Sequence, residues 1–209
     1  KTVISFATAD FETVVSDGKH YPFAASIVFP ITPGRAEAKP EGGVLIESST
    51  SYINTDELAP DLSNIEELSK GCLLNFWIKV KRLGETKIFS KKSVAYKVIY
   101  FHNMSKFDGM FILNLIDVLL TIGEIEDSDV RIIRREGTFY EIRIKDFCFR
   151  DSLQHLSQPL DKLAKAFLGE DQGKTEMNFS FNYNRITSEV DNILSYCIND
   201  SRILFRCMD

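Results

Sequence analysis

Residues 98–122 read VIYFHNMSKFDGMFILNLIDVLLTI, and the change of pattern inside this stretch decides the fold. Val98 to Phe101 is a short β-branched and aromatic run of the kind that forms a buried strand. Phe107 to Ile122 is dense in Ile, Leu and Met over a length that predicts a helix. The polar link His102 to Lys106 is therefore a strand-to-helix junction, a place where a rigid base presents functional groups.

Working outward, Thr2 to Thr8 predicts a buried strand that delivers Asp10 at its end. Phe23 to Phe29 and Val44 to Glu47 predict two more strands. Pro30 to Gly43, with three prolines and three glycines, predicts a loop between them. Asn64 to Arg82 carries Ile65, Leu68, Cys72, Phe76 and Val80 at helical spacing. Val130 to Ile133 and Phe139 to Ile144 flank REGT, a hairpin signal around Gly137. A further strand is predicted at Phe147 to Phe149 and a helix at Pro159 to Leu168, proline first and Gly169 after. Gly169 to Asn184 reads as a loop and Ser188 to Phe205 as the last helix. This order predicts one α/β domain, a mixed sheet flanked by helices, over residues 1–209.

At 209 residues, 44% hydrophobic and 26% charged, the composition is that of an ordinary globular domain. The most apolar stretch, Ile112 to Ile122, is too short to span a bilayer and carries Asp117, so no membrane partner is expected. The chain opens on Lys1 and reads as a fragment or trimmed piece. Cys72, Cys148, Cys197 and Cys207 lack metal-binding or disulfide spacing, which predicts buried reduced thiols in an intracellular, reducing setting. The net charge is −5, yet Lys79, Lys81, Arg82, Lys87, Lys91, Lys92, Lys97 and Lys106 are opposed over that interval only by Glu85. Such a run suits phosphate oxygens, and equally a solvated helix end.

Four carboxylates stand in three separated motifs: Asp10 and Glu12 in ADFET, Asp108 in HNMSKFDG, and Asp200 in YCINDSRIL. A D-x-E on an extended chain points both acids to one side. Tyr196 and Asp200, four apart on a predicted helix, share a face. The pair Tyr52 and Asp56 has the same offset, but in a polar segment where the offset imposes no geometry. Four acidic oxygen donors suit two ions of Mg²⁺ or Mn²⁺ rather than Zn²⁺. Such a pair stabilises the attacking and leaving oxygens of a phosphodiester hydrolysis. In that scheme Asp10 bridges the ions, Glu12 and Asp200 complete the nucleophile side, and Asp108 serves the leaving-group side. Tyr196 orients the attacking water, since a phenol with a pKa near ~10 is a poor base. Each motif also has an ordinary alternative: Asp10 as a turn cap, Asp108 as a helix cap, Tyr196 and Asp200 as a solvated face.

Taken together, DFET, YFHNMSKFDGMFILN (Tyr100 to Asn114) and YCINDSRIL resemble the three exonuclease motifs of protein-primed family B DNA polymerases. RDSLQHLSQPLDKLAKAF (Arg150 to Phe167) resembles that family's single-strand-binding element. The resemblance implies a ribonuclease H-like fold and proofreading 3′–5′ exonuclease activity. It implies contacts to a single-stranded DNA 3′ end from Thr13, Asn103, Phe107, Ser152 and Leu153, with His102 and Phe111 as further candidates. For Phe107, Phe111 and Leu153 a core role is the competing reading. The resemblance also implies a lysine near the scissile phosphate, for which Lys174 is the candidate. It adds the remainder of a polymerase chain and a terminal (priming) protein as partners.

Two departures matter. Three residues separate Asn103 from Phe107 where some phage relatives have two, which favours the linear-plasmid branch and, by resemblance alone, a mitochondrial location. No polymerising motif occurs before Asp209. Two rival functions use the same residues. One is a free-standing tyrosine-type exoribonuclease, disfavoured because Ser195 stands where many such enzymes carry His. The other is a non-catalytic polymerase remnant that binds single strands or the terminal protein.

Overall fold

The computed structural model of the protein describes residues 6–31, 46–86, 97–169 and 180–208. Its strands are β1 (Phe6–Ser16), β2 (Lys19–Pro30), β3 (Ile46–Tyr52), β4 (Lys97–Phe101), β5 (Val130–Arg135), β6 (Thr138–Ile144) and β7 (Phe147–Asp151). They form one seven-stranded sheet in the order β3-β2-β1-β4-β7-β6-β5. The central strands β1, β4 and β7 are parallel, and the outer pairings are antiparallel. The helices are α1 (Ile65–Leu83), α2 (Asp108–Thr121), α3 (Leu160–Leu168), α4 (Tyr183–Ser188) and α5 (Val190–Met208). This is the mixed sheet flanked by helices that the sequence predicts, in keeping with the ribonuclease H-like fold that the resemblance implies.

Side chains of a strand alternate between its faces, and β1 uses the alternation fully. Ala7, Ala9 and Phe11 enter the main core with Leu73, Phe76 and Trp77 of α1 and Ile112 and Leu115 of α2. Phe11 stacks on Phe101 at 5.3 Å between centroids and meets Phe76 at 4.9 Å and Phe111 at 5.7 Å. Thr8 points to the other face, where α5 lies. Its Oγ1 donates to the Ser201 carbonyl at 2.7 Å. From β2, Ser26 Oγ donates to the Cys197 carbonyl at 2.8 Å and lies 2.7 Å from Ser201 Oγ. These groups are buried, so leaving one unpaired would cost ~1–3 kcal/mol. They hold α5 at one setting against the sheet.

Most predicted elements are present, with shifted ends. β1 continues to Ser16 instead of stopping near Thr8, because antiparallel pairing with β2 keeps it extended as far as Ser16 opposite Lys19. Asp10 and Glu12 therefore sit within the strand, not after it. β3 runs to Tyr52, past the expected end at Glu47, and its polar ESSTS run is held by backbone pairing to β2 rather than by an apolar pattern. Helix α4 lies between the predicted loop and the predicted last helix, overlapping the loop only at Tyr183 and Asn184; Asn182 caps it by accepting from the Arg185 amide at 3.1 Å. The hairpin turn has Glu136 and Gly137 at φ 51° and 79°, the left-handed pair that a two-residue turn needs. Residues 2–5, most of the predicted loop up to Gly43, Lys87, Lys91, Lys92 and Lys174 lie outside the described residues. All four cysteines are free, with Cys72, Cys148 and Cys197 buried. Among the described residues no helix is long and apolar enough to cross a membrane.

Gly109 and Gly71 make a matched test of the packing. A Cβ on Gly109 would lie 2.9 Å from the Met104 carbonyl and 3.1 Å from the Phe139 ring, whereas one on Gly71 meets nothing within 4 Å. Gly109→Ala should destabilise the protein by ~1–3 kcal/mol through overpacking. Gly71→Ala, in the exposed interior of α1, should stabilise it by ~0.5–1 kcal/mol. Urea denaturation midpoints measure both.

Candidate metal centre and adjoining cleft

The parallel strands β1, β4 and β7 end at one edge of the sheet, the edge where open α/β sheets bind ligands. Phe101 and Asp151, the last residues of β4 and β7, are register partners there. β1 runs on past its last β4 pairing, Thr8 with Tyr100, and presents Asp10 and Glu12 beyond it. The β1–β2 register shifts between Glu12 and Thr13, a bulge of the kind often found beside functional sites.

Asp10 and Glu12 are half-buried on the side of β1 that faces α5. One oxygen from each and Cys197 Sγ all lie within 4.8 Å of one another. The Cys197 thiol donates to the Asp10 carbonyl at 3.6 Å. Burial first, then the negative charges of Asp10 and Glu12 with a smaller share from Asp200, push that thiol well above its ordinary value, against a hydrogen bond with Ser26. Asp200, one helical turn after Tyr196, is 4% exposed, and Tyr196 is half-buried. Asp10 and Glu12 thus meet α5 at Cys197, on the same helix as Tyr196 and Asp200. The sequence reading took Cys197 only as a buried thiol. Its place between Tyr196 and Asp200 on one short segment was the available signal.

Asp108 opens α2 and is 3% exposed. Its Oδ1 is buried and accepts no hydrogen bond among the described residues. Burial raises its pKa from 3.8 to about 7; a backbone hydrogen bond opposes the rise and the charge of Asp151 adds to it. A buried acidic oxygen without a donor is suited to a cation. The oxygen-rich donor set fits hard divalent ions; the neighbouring sulfur would matter only for softer ones.

The residues expected to touch a single strand fall into two sets. Thr13 Oγ1 is 3.1 Å from His20 Nδ1, and the His20 ring meets Phe107 edge-on at 5.2 Å. Phe107 in turn packs at 5.2 Å on Phe111. His102, Asn103 and Leu153 line a cavity of 440 Å³ with Ser157, Gln158, Pro159, Leu160 and Asp161. Two of the expected contact residues are buried. Phe111 is 3% exposed and belongs to the core, because it backs Phe11 and Phe107 instead of facing outward. Ser152 is 0% exposed, with its hydroxyl held 2.9 Å from His102 Nδ1, so it acts on a ligand only through its neighbours. Tyr52, the other half of the competing Tyr–Asp offset, donates its hydroxyl to the Ile186 carbonyl at 2.9 Å and serves packing. Lys174 lies outside the described residues.

Residues 90–204, more than half of the chain, match the family described as DNA polymerase type B, organellar and viral. No curated protein matches the chain. Among solved structures, the fold is similar to Phi29 DNA polymerase complexed with primer-template DNA and incoming nucleotides, at 19% identity and a TM-score of 0.53. That alignment covers 97% of this chain and 30% of the polymerase. The same polymerase complexed with single-stranded DNA matches at 19% identity and a TM-score of 0.51, covering 96% of this chain and 30% of that one. The chain thus spans less than a third of those structures, and the likeness at this identity concerns the fold.

The raised pKa of Asp108 gives a pH test on metal-free protein. Its folded value lies above its unfolded one, so the protonated group favours the fold below about pH 4, and that contribution is lost as the pH rises towards about 7. Asp108→Asn carries no titrating group at this position. In EDTA the variant should therefore gain on the wild type between about pH 4.5 and about pH 7.5, read as the difference in urea midpoints.

Proposed function

The chain belongs to the organellar and viral family of type B DNA polymerases, and on that premise we propose that it is the 3′–5′ exonuclease domain of a protein-primed member. In this reading it removes nucleotides from a single-stranded DNA 3′ end by metal-dependent phosphodiester hydrolysis. The observation that carries it is the meeting of Asp10 and Glu12 of β1 with Cys197 of α5, the helix that also carries Tyr196 and Asp200.

Asp10, Glu12 and Asp200 would hold one divalent cation and Asp108, together with Asp10, a second. Such ions, when bound, supply electrostatic stabilisation of the attacking and leaving oxygens. The chain's own residues supply the rest. Tyr196 donates a hydrogen bond that orients the attacking water; a phenol is a poor general base near neutral pH. Phe107 offers an aromatic edge, and Leu153 an apolar one, against which terminal bases can stack. Asn103 offers its side-chain amide to the terminal nucleotide. Thr13 and His102 extend the polar lining on either side.

The Asn103-to-Phe107 spacing extends the proposal to the linear-plasmid branch, and so to a mitochondrial setting. The remaining polymerase chain and a terminal protein are the further partners in this reading. Phi29 DNA polymerase, whose structures include a complex with single-stranded DNA, lends it support by fold.

The test is release of mononucleotides from a 5′-labelled single strand in Mg²⁺ or Mn²⁺. Asp10→Ala and Asp200→Ala should abolish release while retaining a cooperative unfolding transition. Undiminished cleavage by both would reject the proposal. Tyr196→Phe should slow cleavage by about 10-fold to 10³-fold with Mn²⁺ binding retained, because one oriented hydrogen bond is lost. A variant as inactive as the aspartate substitutions would assign Tyr196 a different role.

A further inference from the structure

Asp151 is absent from every expected site set, yet both of its carboxylate oxygens accept hydrogen bonds from neighbouring segments. It closes β7 and is 2% exposed. Oδ1 accepts from the Asn103 amide at 3.0 Å and the Leu153 amide at 2.9 Å. Oδ2 accepts from the Ser105 amide at 2.9 Å and the Ser105 hydroxyl at 2.5 Å. A carboxylate has about four lone-pair sites, so this one is fully used. All four donors belong to two segments, the link after β4 and the turn after β7.

The bonds have a conformational consequence. Asn103 sits at φ 69°, a left-handed conformation uncommon for a residue other than glycine. Its amide is clamped by Asp151 on one side, while its carbonyl accepts from Lys106 at 3.2 Å. Leu153 is clamped by the same oxygen, and His102 and Ser152 add the 2.9 Å contact alongside. Asn103 and Leu153 are therefore walls of one cavity whose spacing is set by a single buried anion. Hydrogen bonds to a charged acceptor are stronger than neutral ones, so the setting is stiff.

We propose that Asp151 is the positioning residue of the strand-binding cleft: through Asn103 and Leu153 it makes two distant segments grip a single-stranded 3′ end as one unit. The proposal rests on the nuclease reading for the identity of the ligand. Asp151 touches no substrate in it; it sets where the contacting groups stand. Asp151→Asn keeps the shape but turns an NH₂ towards amide donors, which breaks the bonds at one oxygen.

The test measures anisotropy of a labelled single-stranded oligonucleotide without divalent cations, Mn²⁺ binding by electron paramagnetic resonance, and steady-state cleavage. Asp151→Asn should bind the oligonucleotide about tenfold to hundredfold more weakly, the equivalent of charged hydrogen bonds lost. Its KM should rise in step, with kcat within about threefold and Mn²⁺ binding unchanged, since the ligands on β1 and α5 are untouched. Wild-type affinity, or equal losses of DNA and Mn²⁺ binding, would overturn the positioning role. Should Asp151→Asn fail to fold, Ser105→Ala decides: it removes one of the four bonds and should weaken binding by about threefold. Unchanged affinity there would refute the proposal. A wild-type chain that binds no single strand would sink the nuclease reading and this proposal together, an outcome distinct from the others.

Discussion

Docking of α5 on β1 and β2 is the contact on which the rest of this molecule depends. Two hydroxyls, Thr8 and Ser26, reach across and bond carbonyls of the helix, and Ser201 meets Ser26 from the helix side. Buried polar bonds are directional where apolar packing is not. They set the rotation and height of α5, and so decide that Cys197 meets Asp10 and Glu12. The small side chains at this seam also let the helix approach closely. On the far face, large side chains such as Phe11, Phe76 and Phe101 fill the space between sheet and helices.

The same docking carries an electrostatic burden. Carboxylates brought together away from water repel one another and resist ionisation. The effect is visible at Cys197, which burial first and then the charges of Asp10 and Glu12 hold in its thiol form; at Asp108, on α2, burial is the main cause of the rise to about 7 and the Asp151 charge adds to it. Asp151, by contrast, is as deeply buried but is surrounded by amide and hydroxyl donors. Two buried acids at one edge of the sheet thus have opposite characters, one saturated and one with an oxygen that accepts nothing among the described residues. The saturated one shapes the cleft, and the other is suited to a cation.

The elements were legible because their signals are local. The hairpin at Gly137, the strand-to-helix change at Phe101 and the terminal helix each declare themselves within a dozen residues. The three acidic motifs were also legible, since spacing along a strand or helix is enough to put Asp10 with Glu12 and Tyr196 with Asp200. The misses share one cause. β1 extends past its apolar run because β2 pairs with it, and β3 forms from polar residues because a neighbouring backbone is available. Helix α4 starts at an Asn cap inside a polar segment that has no apolar period.

By itself the sequence determined the chemistry: which acids, which phenol and which aromatic residues exist, and which of them share a face of one element. Those properties follow from periodicity within a strand or helix. Only the tertiary structure decided that Phe111 belongs to the core and that Ser152 is buried behind His102. It alone put the Cys197 sulfur against the acid pair and tied Asp151 to two segments. Each depends on groups far apart along the chain, and their distances are set by packing between elements, which no local pattern encodes.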